Sequence, residues 1–131
     1  MAVGLAAATA NAILNALCRS TAWTEPAELW VKLHLGDPGA AGTSNPAAET
    51  DRIQATFGTN ASAGAISNTV ASTWTAVSNT ETYTHVSVWD ASTAGTFIFS
   101  DQLAASKAVD AGDDFTIAIG DIDVTLGAVA S

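Results

Sequence analysis

From Leu29 to Leu35 the chain alternates without exception: Leu29, Val31, Leu33 and Leu35 lie to one side, Trp30, Lys32 and His34 to the other. A period of two over that length predicts a strand with one face on a core. The pattern stops at Gly36-Asp37-Pro38-Gly39. The run GDPGAAGTSNPAA over 36–48 carries turn chemistry throughout, with two prolines, three glycines and Asn45 before Pro46. Upstream the period is different. Leu5, Ala8, Ala12, Ile13, Ala16 and Leu17 recur at three- and four-residue steps among strong helix formers. A helix is therefore expected over about 3–18, with Arg19 in its last turn, where a cation suits the helix dipole. The segment 1–19 then forms a narrow, alanine-rich helix that packs on the sheet or on a neighbouring subunit.

Further strands follow at short intervals. Ile53, Ala55 and Phe57 mark a second strand, Ile66 and Val70 a third, and Trp74 and Ala76 a fourth. The clearest hairpin is YTHVSVWD, a turn at ASTAG, and TFIFS returning with Phe97 and Phe99 on one side. On its first strand Thr84, Val86 and Val88 are expected to face the core. Tyr83, His85, Ser87 and Trp89 face away, with burial of Trp89 an equal alternative. A turn at Asp110-Ala111-Gly112-Asp113 leads to a last strand pair, DFTIAIGDIDVTL, where Gly120 is expected to shift the register as a bulge or bend. One helix and about eight short strands separated by turns make a mainly β antiparallel sandwich or partly closed barrel, in a single domain spanning 1–131.

Composition changes the picture of the surface. Charged residues are only 13% of the chain, about half the usual share, and hydrophobic residues 48%. Small side chains and neutral hydroxyls must cover much of the outside, which suits contact with other protein because few charges need desolvating. The net charge is −9, and the bases are Arg19, Lys32, Arg52 and Lys107. No basic stripe exists to bind nucleic acid or an anionic membrane surface. The first seventeen residues lack a positive n-region, Asn11 and Asn15 interrupt them, and they are too short and polar to span a bilayer. They are read as mature protein of a soluble chain.

Candidate chemistry is sparse. A phosphate-cradling loop at 36–48 would need a lysine before Thr43-Ser44, and Asn45-Pro46 forbids an immediate helix, so the loop is read as a turn. Asp110, Asp113 and Asp114, with Asp121 and Asp123, offer hard oxygens for calcium but lack EF-hand spacing; they are read as solvated turn carboxylates. Cys18 is alone, so it forms no internal disulfide and is expected to be a small buried hydrophobe. His34 and His85 are expected to be half-exposed strand residues. With Cys18 they have no zinc-ligand or nucleophile–base spacing. Trp23, Trp30, Trp74 and Trp89 fit a core or an interface, and alternatively a glycan-binding surface. Asn60-Ala61-Ser62 matches a glycosylation sequon that matters only in a eukaryotic secretory setting. No residue is given a catalytic, cofactor-binding or metal role, and the chain is read as non-enzymatic.

Taken in order, the segments LAAATANAILNAL, LWVKLHLGDPG, DRIQATFG, THVSVWDASTAGTFIFSDQL and VDAGDDFTIAIGDIDVTL resemble a family of small actinobacteriophage virion proteins of mycobacteriophage type. These are described as phage tail fibre-like or minor structural proteins, and the resemblance covers nearly the whole chain. It implies a virion component assembled in the bacterial host cytoplasm, with copies of itself and other virion proteins as partners; a trimer is one arrangement compatible with it. A minor tail or fibre component is the first reading. A head decoration protein bridging capsomers, a glycan-binding adhesion module and a glycan hydrolase using paired carboxylates are the alternatives.

Overall fold

The computed structural model describes residues 3–127. The chain opens with a two-residue strand β1 (Gly4–Leu5) and then a helix α1 (Ala7–Arg19). The strands β2 (Leu29–His34), β3 (Ile53–Ala55), β4 (Ala65–Ser67), β5 (Ser72–Trp74), β6 (Glu81–Trp89), β7 (Phe97–Val109), β8 (Phe115–Ile117) and β9 (Asp123–Thr125) follow. All pairings are antiparallel. The main sheet has the order β1-β7-β6-β2-β3, while β4-β9 and β5-β8 form two small sheets. The main sheet contributes Val31, Leu33, Val86, Val88 and Phe99 to one core, and the small sheets contribute Trp74, Phe115 and Ile117. The result is a sandwich-like mainly β fold whose sheets do not close into a barrel. Each fully buried Leu or Val contributes about 1.5–3 kcal/mol, so this apolar layer is what holds the sheets together.

Residue 3 was expected in the helix, but the helix begins only at Ala7. Gly4 takes a φ of 138°, and Gly4 and Leu5 pair with Ser100 and Phe99 at the outer edge of β7. No side chain caps the helix at Ala6; instead the Ala6 N–H donates to Ile98 O at 2.8 Å. Ser20 then ends it in the left-handed region at φ 53°. Positions 1 and 2 of the expected helical segment, and 128–131 at the end of the expected domain, lie outside the described residues. The strand expected at Ile66 and Val70 is Ala65–Ser67 alone, with Val70 exposed. The next strand ends at Trp74, because Ala76 turns at φ 49°.

Two register shifts between β6 and β7 overturn the expected facing of the hairpin. The one between Tyr83 and His85 breaks the alternation, so Tyr83 enters the core beside Val86 and packs on Phe115 at 5.0 Å between ring centroids. Thr84, expected inside, is only half-buried. The other shift, between Val88 and Trp89, separates Phe97 from Phe99. Phe99 enters the core, while Phe97 packs on Trp89 at 5.6 Å, so Trp89 is buried on the opposite face of the sheet. Gly120 is the bend between the last two strands. It sits in a turn at φ 84°, after which the chain leaves β5's partner β8 to become β4's partner β9. Asn68 fixes that turn: its Oδ1 accepts the N–H groups of Gly120 and Ile122, and its Nδ2 donates to Val70 O and Ala118 O.

Candidate functional site

The face of the main sheet away from the core carries Trp30, Lys32 and His34 from β2, in register with Trp89, Ser87 and His85 of β6. Alternation predicts a half-exposed row. Trp30 and Lys32 are half-buried as expected, whereas His34 is fully buried and His85 nearly so. The 36–48 loop folds back over His34. Leu35 N donates to Asn45 O, Ala47 N to Leu33 O, and Ser44 N to Pro38 O. Left-handed backbone at Gly39 and Gly42 makes this path possible, and a Cβ on Gly42 would stand 2.5 Å from the Phe97 ring.

A short network locks the loop down. His34 Nδ1–H donates to Ser44 O at 2.8 Å, since a carbonyl only accepts. In the neutral ring Nε2 is then an acceptor, and Ser87 Oγ–H donates to it at 2.7 Å. Trp89 Nε1–H in turn donates to Ser87 Oγ at 2.8 Å. Burial, and then the positive charge of Lys32 and His85, hold the His34 pKa below its ordinary value against the raising effect of its backbone hydrogen bonds. A serine hydroxyl on a neutral imidazole is the pairing that activates nucleophiles, but here Ser87 is wholly buried and its lone pair is engaged by an indole. The chemistry available to this set is structural: it clamps a loop to a sheet. His85 Nδ1 shares a hydrogen bond with Thr84 Oγ1 at 2.7 Å, and its Nε2 is buried without a protein partner.

A second clamp holds the β6–β7 hairpin. Arg52 donates through one guanidinium nitrogen to Ala91 O and Ala94 O, each at 2.8 Å, and lies 4.4 Å over the Trp89 ring. Burial lowers its pKa, partly countered by the nearby Asp90 carboxylate. Of the aspartates singled out from the sequence, Asp114 acts through its carboxylate and Asp123 through its backbone. Asp114 Oδ1 accepts Ala76 N, and Asp123 N donates to Asp101. Among the described residues no group of three or more His, Cys, Asp or Glu is placed to hold a metal ion. Burial, together with the charge of Asp123, raises the Asp101 pKa even though Asp101 accepts the N–H groups of Asp123 and Gln102.

Cys18 is exposed near the end of α1, contrary to the expected burial, because the helix overhangs the sheet. Thr9 is the sole buried residue of α1, while Leu14 and Leu17 are 56% and 77% exposed. Beneath the helix an open, almost entirely apolar groove of about 300 Å³ is lined by Leu5, Ile13, Trp23, Phe57, Ile66 and Val124. Trp23, the most exposed of the four indoles, also borders an adjoining cleft that shares Thr9, Glu25, Pro26 and Ile98 with this groove. Trp74 and Trp89 are buried, and Trp30 is half-buried with its Nε1–H donating to Glu28. Sequence reasoning missed Ser87, Ser44 and Arg52, since a clamp across 53 residues leaves no local spacing. Among the described residues no helix is long and apolar enough to cross a membrane.

The family model described as Podophage GP4 fiber I protein gp80 matches residues 4–125, nearly the full length of the described chain. No curated protein matches the chain. The chain belongs to the podophage GP4 fiber I protein gp80 family.

Proposed function

We propose that this member of a podophage fibre family is a non-enzymatic structural module of a phage tail fibre, a single domain joined to copies of itself and to other virion proteins. The observation that carries the reading is the match over residues 4–125 to a family described as a fibre protein. The molecular surface agrees with it. Leu14, Leu17 and Trp23 stand exposed beside an apolar groove, an arrangement that marks protein contact surfaces rather than an isolated monomer. The small charge content leaves little to desolvate when copies meet. The complete burial of the His34–Ser87 pair supports a structural role for that hydroxyl–imidazole pairing. Assembly takes place in the cytoplasm of the bacterial host, and an actinobacterial host is part of the proposal through the resemblance of the sequence segments.

Immunogold electron microscopy of purified particles with an antibody to this chain tests the placement. Gold at the tail or its tip is the expected result. Gold spread over the head would replace the fibre reading with a capsid decoration role. Absence of the chain from denatured, purified virions on a blot would overturn the virion assignment.

A further inference from the structure

On the reading that copies of this chain assemble, we propose that Lys32 and Arg52 form a docking site for the acidic 110–114 turn of a second copy, so that copies join head to tail. Two of the four bases of a chain with thirteen acids stand side by side. The β2–β3 register pairs Leu29 with Ala55, Trp30 with Gln54 and Val31 with Ile53, and one further step sets Arg52 opposite Lys32. Both belong to the face away from the core: Lys32 is in register with Ser87, and Arg52 rests on the Trp89 ring. Like charges directly opposite one another on paired strands are destabilising. Here neither moves away, since Arg52 is fastened to Ala91 O and Ala94 O and Lys32 is half-buried. Burial and then the Arg52 charge hold the Lys32 pKa below its ordinary value. Asp90 does not resolve the conflict: its Oδ1 accepts the Thr96 N–H, and its charge acts on Arg52. The guanidinium uses one nitrogen on the hairpin, which leaves it further donors. A carboxylate brought from outside against Lys32 and those donors offsets both charges at once.

The complementary surface lies on the same chain. Asp110, Asp113 and Asp114 are exposed in the turn between β7 and β8. That turn is pinned before any contact forms: Asp113 N donates to Asp110 O, Gly112 N to Val77 O, Val77 N to Asp113 O, and Ala111 N to Thr80 Oγ1. Asp114 Oδ1 accepts Ala76 N, which fixes the far side of the turn. A surface already set in place loses little freedom on binding. The turn stands at the end of the sheet where Glu81 pairs with Val109, whereas Lys32 pairs with Ser87. Those two points on β6 are on the order of 20 Å apart along the strand, so the turn does not reach the bases of its own copy. An isologous contact centred on either surface would set like charges together. A heterologous one joins opposites, and it does so on a chain whose net charge of −9 otherwise drives copies apart. Trp30, half-buried on the same face of β2, supplies an apolar border to the bases.

The test follows the full chain, purified, by sedimentation equilibrium at about 50 mM and about 500 mM salt. The expected result is self-association that weakens about 10-fold in Lys32→Glu, in the doubly substituted Asp110→Lys/Asp113→Lys chain, and in wild type at the higher salt. Thermal unfolding separates this from a folding defect. Lys32→Glu sets an opposite charge across from Arg52, so it should unfold no earlier than wild type. The turn variant changes only exposed side chains and carries the test if Lys32→Glu alters folding. Mixing the two variants should restore association, because the intact bases of one meet the intact acid turn of the other. Wild type that stays monomeric at every concentration would overturn the joining of copies and this site together. Association unchanged in both variants overturns the site alone, as does a mixture of two defective variants that fails to associate.

Discussion

Replacing His34 by alanine removes the centre of the network that fastens the 36–48 loop to the sheet. Two partners lose their hydrogen bonds, Ser44 O and Ser87 Oγ. Their fates differ. Ser44 is exposed, so its carbonyl can turn to water, whereas Ser87 is fully buried and keeps an unpaired hydroxyl proton. The unsatisfied buried group costs about 1–3 kcal/mol. The emptied ring site adds a packing and cavity loss on the order of 1–2 kcal/mol. A destabilisation of about 3 kcal/mol is therefore expected, a fall in Tm of roughly 10 °C for a domain of this size. Urea unfolding followed by tryptophan fluorescence measures it, and a double-mutant cycle with Ser87→Ala should return a coupling of about 1–2 kcal/mol. The pair also sets a pH dependence. Because the folded pKa of His34 is depressed, its contribution is present in full above the unfolded value of 6.5 and is lost as pH falls through the folded value. His34→Gln retains a donor and an acceptor but cannot take the proton. The stability difference between wild type and His34→Gln should thus shrink or invert from about pH 8 to about pH 5. A coupling near zero, or a difference that stays flat over that range, would refute the clamp.

Four further perturbations address other parts of the molecule. Tyr83 is buried with an unpartnered hydroxyl, and burial, with Glu81 and Glu49 nearby, pushes its pKa up to about 12. Stability should accordingly fall as pH rises from the ordinary tyrosine value of 10 through about 12, and Tyr83→Phe should remove that alkaline loss while unfolding no more easily at neutral pH. Arg52→Ala should cost about 1–2 kcal/mol through two lost carbonyl bonds and the Trp89 contact, with faster amide exchange confined to the 90–96 turn. Gly42→Ala places a Cβ against the Phe97 ring at a φ of 71°, so a loss of about 2 kcal/mol in thermal unfolding is expected. Leu17→Asp should leave monomer unfolding within about 0.5 kcal/mol, since the side chain is exposed, yet weaken self-association in sedimentation equilibrium; association unaffected by Leu17→Asp and Leu14→Asp together would remove α1 from the contact surface.

The strands whose apolar residues alternate without interruption were legible before any coordinates. Leu29, Val31 and Leu33 face the core as a period of two requires, and the run into GDPG does end in a turn. The errors concentrate where one residue more or less changes the facing of everything beyond it. A register shift has no compositional mark. Tyr83 and Val86 are three apart and share the core, so a strict alternation must place one of them wrongly. The same holds for Phe97 and Phe99, which a shift at Trp89 sends to opposite faces. Small sheets were harder still. The segment 115–126 reads as a strand pair shifted at Gly120, but its two halves pair with β5 and β4, a long-range choice that Asn68 enforces from fifty residues away.

The histidines show why the second face misled the sequence reading. Polar residues alternating with Val and Leu ordinarily mean an edge of water, and His34 and His85 fit that description. A loop without periodic structure has no way to announce that it will cover them. Burial then reverses the meaning of the polar row: Ser87, His34 and Trp89 satisfy one another instead of solvent, and the covered loop becomes part of the fold. The exposed apolar end of α1 and the Trp23 groove are among the places where the molecule departs from a self-sufficient domain. Their residues come from elements far apart in the chain, so no local motif marks them. Membership of a fibre family is likewise legible along the whole chain rather than in the spacing of a few residues.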